Sequence, residues 1–343
     1  MKNMLVTGCA GFIGSNYCRY VFNHYPDITI YGLDALTYAG NLTTMMDLSE
    51  TGRFNFYQGN IQDPIVVNDI IRAEAIDTVV NFAAESHNDR SLQDAAAFIQ
   101  TDVAGVFTLL EAVRQNNVER MLHVSTDEVY GSATDASFTE LTPLAPNTRY
   151  SASKAGGDMQ ARAHHIAYHT PVVITRCGNN FGPYQYPEKL IPFFITRLFD
   201  NKKVPLYGDG SQVRDWVYVE DHCSGIHHAL LHGAVGEVYN VGSQGECTNM
   251  DITERLLALL DKPKSMIKFI EDPRGGSHDR RYSIDSSKLQ AIGWKPEFEF
   301  NLALADTVKW YVDHQDWWRP ITDREDYRQF ISAYYGRYLG EDL

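Results

Sequence analysis

Met4-Leu5-Val6-Thr7-Gly8-Cys9-Ala10-Gly11-Phe12-Ile13-Gly14 is the stretch that decides the fold. A short apolar run ends in glycines spaced G-x-x-G-x-x-G, and a helical pattern follows over 13–23. Glycines in such a turn tolerate unusual backbone angles and let a phosphate approach closely. The helix opening there offers free N–H groups and a partial positive charge. Strand, glycine turn and helix in this order point to the pyrophosphate of a dinucleotide.

Working outward, apolar runs at 29–33, 54–57, 78–82, 121–125 and 172–175 alternate with helical patterns near 66–73, 95–114 and 151–168. The runs are continuous rather than alternating, as in strands buried on both faces. The expected fold is therefore α/β: a Rossmann-type doubly wound parallel sheet with a smaller C-terminal substrate-binding lobe. The expected division is a dinucleotide-binding unit over 1–180, with a return segment near 238–242, and a lobe formed mainly by 181–343. Proline and glycine crowd 181–210, which reads as irregular. Helical patterns resume near 221–231, 252–260 and 302–312, and the aromatic tail from Trp317 reads as one packed terminal helix.

Asp34 ends the second strand, about 20 residues past the last glycine, the position from which a carboxylate accepts ribose hydroxyls. It would repel a 2′-phosphate, and Ala35 follows it rather than an arginine, so NAD is expected over NADP. Asn60 and Ile61, after the third strand, are placed near the adenine. Tyr150 and Lys154 stand at i and i+4 and share a helix face. Moving a tyrosine from its usual pKa near 10 toward 7 takes about 4 kcal/mol. The expectation is that the Lys154 ammonium and a cationic nicotinamide supply much of it, making Tyr150 a general base.

Composition sets limits. Of 343 residues, 44% are hydrophobic and 22% charged, which fits a folded globular chain and excludes a largely disordered one. Thirty Lys and Arg against 44 Asp and Glu give −14, a poor balance for general nucleic-acid binding. No run of about 18 consecutive apolar residues suggests a membrane span. A strand is read from Met4 onward, so no signal peptide is expected. Cys9, Cys18, Cys177, Cys223 and Cys247 are scattered without a C-x-x-C pair, so reduced thiols in a cytoplasm are expected. His228 and His232 lie at i and i+4 without a third ligand at a metal-binding spacing, so no metal is expected. His164 and His165 read as surface or interface residues. Phe107, Leu109, Leu110 and Val113 suit core or interface equally.

With these motifs together, the chain resembles the extended short-chain dehydrogenase/reductase superfamily over nearly its whole length. Ser125-Thr126-Asp127-Glu128-Val129-Tyr130-Gly131 resembles the signature of nucleoside-diphosphate-glucose 4,6-dehydratases, the dTDP-glucose enzymes in particular. Ala83-Ala84-Glu85-Ser86-His87, Asn179-Asn180-Phe181-Gly182-Pro183-Tyr184, Arg214-Asp215-Trp216 and His278-Asp279-Arg280-Arg281-Tyr282 point the same way. The superfamily's epimerases usually carry a small residue or serine where this chain has Asp127 and Glu128. The resemblance implies a lyase that oxidises the hexose at carbon 4, eliminates water across carbons 5 and 6, and returns hydride to carbon 6.

In that scheme Tyr150 is the carbon-4 base tuned by Lys154. Thr126 meets the 4-hydroxyl, Glu128 is the carbon-5 base and Asp127 the carbon-6 acid. The two acids must then titrate apart, one ionised and one protonated. The resemblance assigns NAD to Gly8, Gly11, Phe12, Ile13, Gly14 and Asp34, with Thr37, Asn60, Ile61, Ala83, Tyr150 and Lys154. It assigns the sugar nucleotide to Ser86, Thr126, Asn179, Glu188 and Lys189, with Asn249 and His278; Arg214 and Arg281 are expected to clamp the diphosphate. It also implies a homodimer through the helices near 95–114 and 151–168. Alternatives are a 4-epimerase, a dehydratase for UDP- or another nucleotide sugar, and a non-catalytic NAD-binding regulator. The chain departs from the family pattern at Ala35, Asn60, Asn88 and Gly178, and in a longer loop over 274–278.

Overall fold

The computed structural model describes residues 1–340 except 88–90, 92–93, 134–135, 244 and 274–278. His278, Asn88 and the 274–278 loop thus lie outside the described residues. The chain lays down β1 (Asn3–Thr7), β2 (Thr29–Asp34), β3 (Phe54–Gln58), β4 (Thr78–Asn81), β5 (Arg120–Thr126) and β6 (Val172–Cys177). Three strands follow outside this sheet: β7 (Asn179–Phe181), β8 (Val204–Tyr207) and β9 (Val213–Tyr218). β10 (Val238–Val241) then returns beside β6. The seven-stranded sheet is parallel throughout, in the order β10-β6-β5-β4-β1-β2-β3. Its order reverses between β1 and β4, which opens a crevice at their carboxyl ends.

Alternate strand residues feed two cores. Met4, Val6, Ile30, Leu122 and Val173 join a cluster with Val21 and Ile226, from the helices Phe12–His24 and Val219–His232. Leu5, Leu33, Val79, Met121 and Ile174 join another with Ile70 and Leu110, from Pro64–Ala73 and Ala95–Gln115. Both faces are therefore covered, and the strands need no polar side.

The helix Ala95–Gln115 contains a π turn at Gln100–Gly105. By length and composition it is apolar enough to cross a membrane, with a mean hydropathy of 1.4 over 18 residues. Here it lies against the helix Arg149–Tyr168. Leu109, Leu110 and Val113 are fully buried, whereas Ile99 and Phe107 point outward, 59% and 48% exposed.

The segment expected to be irregular holds a ten-residue helix, Leu190–Phe199. Pro192 is its third residue, where a missing N–H breaks no intrahelical bond. β7 and β9 pair, and β11 (Glu246–Thr248) adds antiparallel to β9. β12 (Ile267–Ile270) pairs with β8. The tail is two helices rather than one, Gln315–Thr322 and Glu325–Leu339.

Candidate active site

Glycines shape the first wall of a cleft of about 400 Å³ that follows the crevice. Gly8 has φ +67°, and a Cβ there would sit 2.7 Å from the Ala83 nitrogen. A Cβ on Gly14 would run into the Gly8 carbonyl oxygen. Gly11 caps Phe12–His24 with no side-chain hydrogen bond, so its first-turn amides stay available. Gly8, Gly11, Phe12, Ile13 and Gly14 all line the cleft.

Asp34 is buried at the end of β2. One carboxylate oxygen accepts from the Ala10 N–H at 2.9 Å and the other from Leu36 at 2.8 Å. Burial pushes this carboxyl up, and the two backbone donors oppose the push. Thr37, Asn60, Ile61 and Ala83 line the cleft with it. A phosphate-sized turn that no side chain fills, an uncapped helix start and a carboxylate one strand away fit the residues to a dinucleotide.

β5 delivers the opposite wall. A regular strand would send Asp127 and Glu128 to opposite faces. Instead Asp127–Tyr130 forms a single 3-10 turn, because the Thr126 hydroxyl accepts from the Glu128 N–H at 3.2 Å. Thr126, Asp127 and Glu128 consequently all line the cleft, together with Tyr150 and Lys154. Asp127 is 1% exposed, and its Oδ2 has no hydrogen-bond partner among the described residues. Burial first, then the charges of Glu128 and Asp215, hold its carboxyl well above the usual range. That favours the protonated acid.

Tyr150 and Lys154 stand in the first two turns of Arg149–Tyr168, whose start is fixed by a capping box between Thr148 and Ser151. Lys154 is buried, and its Nζ donates to the Val124 carbonyl at 2.9 Å. Burial, then Glu128 and Asp102, push the Tyr150 hydroxyl well above its ordinary value, and a hydrogen bond with Thr126 opposes them.

Ser86, Asn179, Glu188, Lys189, Arg214 and Asn249 also line the cleft. Lys189 Nζ donates to the Ser86 carbonyl at 2.7 Å, tying the segment after β4 to the start of Leu190–Phe199. The expected arginine pair is split. Arg214 lies over the Tyr282 ring at 4.3 Å and donates to the Asp279 carbonyl at 2.9 Å. Arg281 is not part of the cleft wall; it forms a two-pronged pair with Glu246 at 2.8 and 2.7 Å. Gly178 is explained by packing, since a Cβ there would lie 2.7 Å from the Asp215 carbonyl oxygen. His164 is buried rather than at the surface, between Thr170 and Glu111 at 2.8 Å each.

The sequence reading missed one wall, made of Phe193, Phe194, Leu206, Tyr207 and Tyr335. Tyr335 stacks on Phe193 at 5.2 Å, and its hydroxyl meets that of Tyr207 at 2.8 Å. The strongly apolar composition of Leu190–Phe199 was the available signal; nothing in the tail marks Tyr335.

Comparison with known proteins now has a site to refer to. The family model described as GDP-mannose 4,6 dehydratase matches residues 5–307. A Xanthomonas campestris pv. campestris protein named dTDP-glucose 4,6-dehydratase is 46% identical over 343 residues, 94% of this chain and 97% of that one. This chain belongs to the dTDP-glucose 4,6-dehydratase family. A member of that family, DesIV from Streptomyces venezuelae, was solved with NAD and dTDP bound. It superposes with a TM-score of 0.90 at 46% identity, over 93% of this chain and 99% of DesIV. UDP-glucose 4-epimerase from Thermotoga maritima shares the fold at a TM-score of 0.84 but only 25% identity, over 91% of this chain and 99% of the epimerase. The separation follows the dehydratase family's side.

Proposed function

We infer that this chain is an NAD-dependent hydro-lyase that converts dTDP-glucose to dTDP-4-keto-6-deoxyglucose and water, a step of deoxysugar synthesis. One observation carries the reading. The 3-10 turn after β5 puts Thr126, Asp127 and Glu128 into the cleft that Tyr150 and Lys154 also line. Family membership at 46% identity supports it.

Bound NAD supplies the oxidising power at carbon 4 and restores it at carbon 6. The residues handle the protons. Tyr150 takes the proton of the 4-hydroxyl, with Thr126 as its hydrogen-bond partner. Once carbon 4 is a ketone, the proton on carbon 5 is acidic, and Glu128 removes it. Asp127 gives its proton to the 6-hydroxyl, which leaves as water, and the proton held by Glu128 returns to carbon 5 as hydride reaches carbon 6. Burial keeps that proton on Asp127 until it is needed. Ser86, Asn179, Glu188, Lys189, Arg214 and Asn249 are assigned to the sugar nucleotide, and the glycine turn, Asp34, Thr37, Asn60, Ile61 and Ala83 to NAD.

The same reading divides the labour between 1–180 with 238–242, for NAD, and mainly 181–343, for the sugar nucleotide. It also makes the protein a cytoplasmic homodimer, with neither nucleic acid nor membrane as partner. Five unpaired cysteines favour a reducing compartment. Exposed Ile99, Phe107, Met159, Ile166 and Tyr168, on the helices Ala95–Gln115 and Arg149–Tyr168, favour pairing through them.

The decisive experiment uses dTDP-glucose deuterated at carbon 4, in ordinary water. The label should appear at carbon 6 of a 4-keto-6-deoxy product. Recovery of dTDP-galactose would place the chain with the epimerases, and NAD binding without turnover of any nucleotide sugar would leave a regulator.

A further inference from the structure

Asp102 is a buried carboxylate that the chemistry above leaves unused. It sits in the π turn Gln100–Gly105 and is 1% exposed. A π turn adds a residue to the helix and re-aims its side chains. Here the Asp102 carboxylate lies between two donors. The Glu85 N–H, on the segment after β4, reaches Oδ1 at 3.0 Å, and the Ser153 hydroxyl reaches Oδ2 at 2.6 Å. Gly157 lets the turn come this close, since a Cβ there would lie 2.5 Å from the Asp102 carbonyl oxygen.

Ser153 immediately precedes Lys154, three residues after Tyr150, and its hydroxyl also contacts the Tyr150 carbonyl at 2.8 Å. Among the described residues, several charged and titratable groups face this pocket, including Asp127 acting on Tyr150 and, beyond His123, Asp158 and Arg176. Lys154 and Tyr150 come from the same helix, Glu85 from the segment after β4, His123 from β5, and Glu128 acts on Tyr150 from the 3-10 turn. Burial holds His123 neutral.

We propose that Asp102 is a positioning residue for the reaction: its carboxylate is the counter-charge of the buried Lys154 ammonium and sets how readily Tyr150 gives up its proton. An ammonium removed from water needs an opposite charge nearby to stay charged. The same negative charge opposes a phenolate on Tyr150. The Asp102 carboxyl is itself pushed up to about 6 by burial, against the pull of Lys154, Ser153 and the Glu85 N–H. The charge therefore switches on as pH rises through about 6. This inference rests on Tyr150 being the carbon-4 base.

The test compares kcat/KM across pH for the wild type, Asp102→Asn and Ser153→Ala, with Tyr150→Phe as control. Asp102→Asn removes the charge at nearly constant shape. Its acid limb should move down by about half a pH unit or more, since Tyr150 ionises more easily. Ser153→Ala removes one donor to the carboxylate, so Asp102 holds its proton to higher pH and the acid limb moves the same way by less.

Thermal melting supplies a second readout, without substrate. A carboxyl raised from about 4 to about 6 on folding costs stability progressively across that interval. The melting temperature of Asp102→Asn relative to wild type should therefore climb between pH 4 and pH 7. Lower activity with the acid limb unmoved and a flat melting difference would overturn the proposal, leaving Asp102 a structural acceptor. An active Tyr150→Phe would instead remove the base assignment on which it rests. If Asp102→Asn does not fold, Ser153→Ala with an unmoved acid limb overturns the proposal by itself.

Discussion

The Lys154 ammonium donates to the Val124 carbonyl, 2.9 Å away on β5. The lysine is thereby clamped to the strand that ends in Thr126, one turn of helix from Tyr150. Removing the charge should harm chemistry far more than substrate binding. Lys154→Met is expected to lower kcat by at least about 100-fold, with KM changed only a few-fold. Steady-state kinetics check this; an equal loss in both constants would show that the ammonium acts mainly by holding the substrate.

Asp127 and Glu128 are separable by isotope exchange. Asp127→Asn keeps the shape but cannot protonate the leaving hydroxyl. It should exchange the carbon-5 proton with heavy water while forming product about 10²–10⁴-fold more slowly. Glu128→Gln should show neither exchange nor product. Exchange in both variants, or in neither, would reassign the two acids.

The raised Asp127 carboxyl also has a stability sign. A carboxyl whose folded pKa lies above its unfolded value costs stability as pH rises from the unfolded value to the folded one. Asp127→Asn should therefore melt higher than wild type at pH 8 and show little or no gain at pH 3. A gain independent of pH would mean that the buried acid is not the source.

Gly14→Ala places a methyl against the Gly8 carbonyl in the phosphate turn. Strain of about 1–3 kcal/mol is expected. The larger effect should be on NAD. At 100 times its Kd, NAD should stabilise the wild type by about 2.7 kcal/mol, and the variant should show almost none of that shift. Melting with and without NAD decides it.

The outward face of the two long helices gives an assembly prediction. Phe107, 48% exposed, stands beside buried His164 with ring centroids 6.3 Å apart. Phe107→Glu should turn a dimer into a monomer in light-scattering measurements while leaving the melting of the core nearly unchanged. A dimer that survives this change is built elsewhere.

Much of the frame was legible because its physics is local. Buried parallel strands announce themselves as continuous apolar runs, and β10 was visible at 238–241 as a late run of the same kind. The glycine turn was legible because a phosphate needs a place without side chains. What failed depended on partners far away in sequence. Arg281 reads as a free guanidinium until β11 brings Glu246 alongside it. The Asp102–Ser153 contact was invisible for the same reason, since a π turn 51 positions earlier carries the carboxylate to the Tyr150/Lys154 helix. Leu190–Phe199 was obscured by Pro192, which breaks a helix only beyond the first turn.

The sheet's outermost strand next to β6 comes from residues 238–241, sixty residues after β6 ends. During synthesis the first six strands can align long before that edge is covered. Until then β6 presents a bare, apolar ladder of N–H and C=O groups to any neighbouring nascent chain. Aggregation of truncated forms ending before Val238 is the failure this topology invites, and holding β6 apart from other copies is a burden the cell's chaperones would carry.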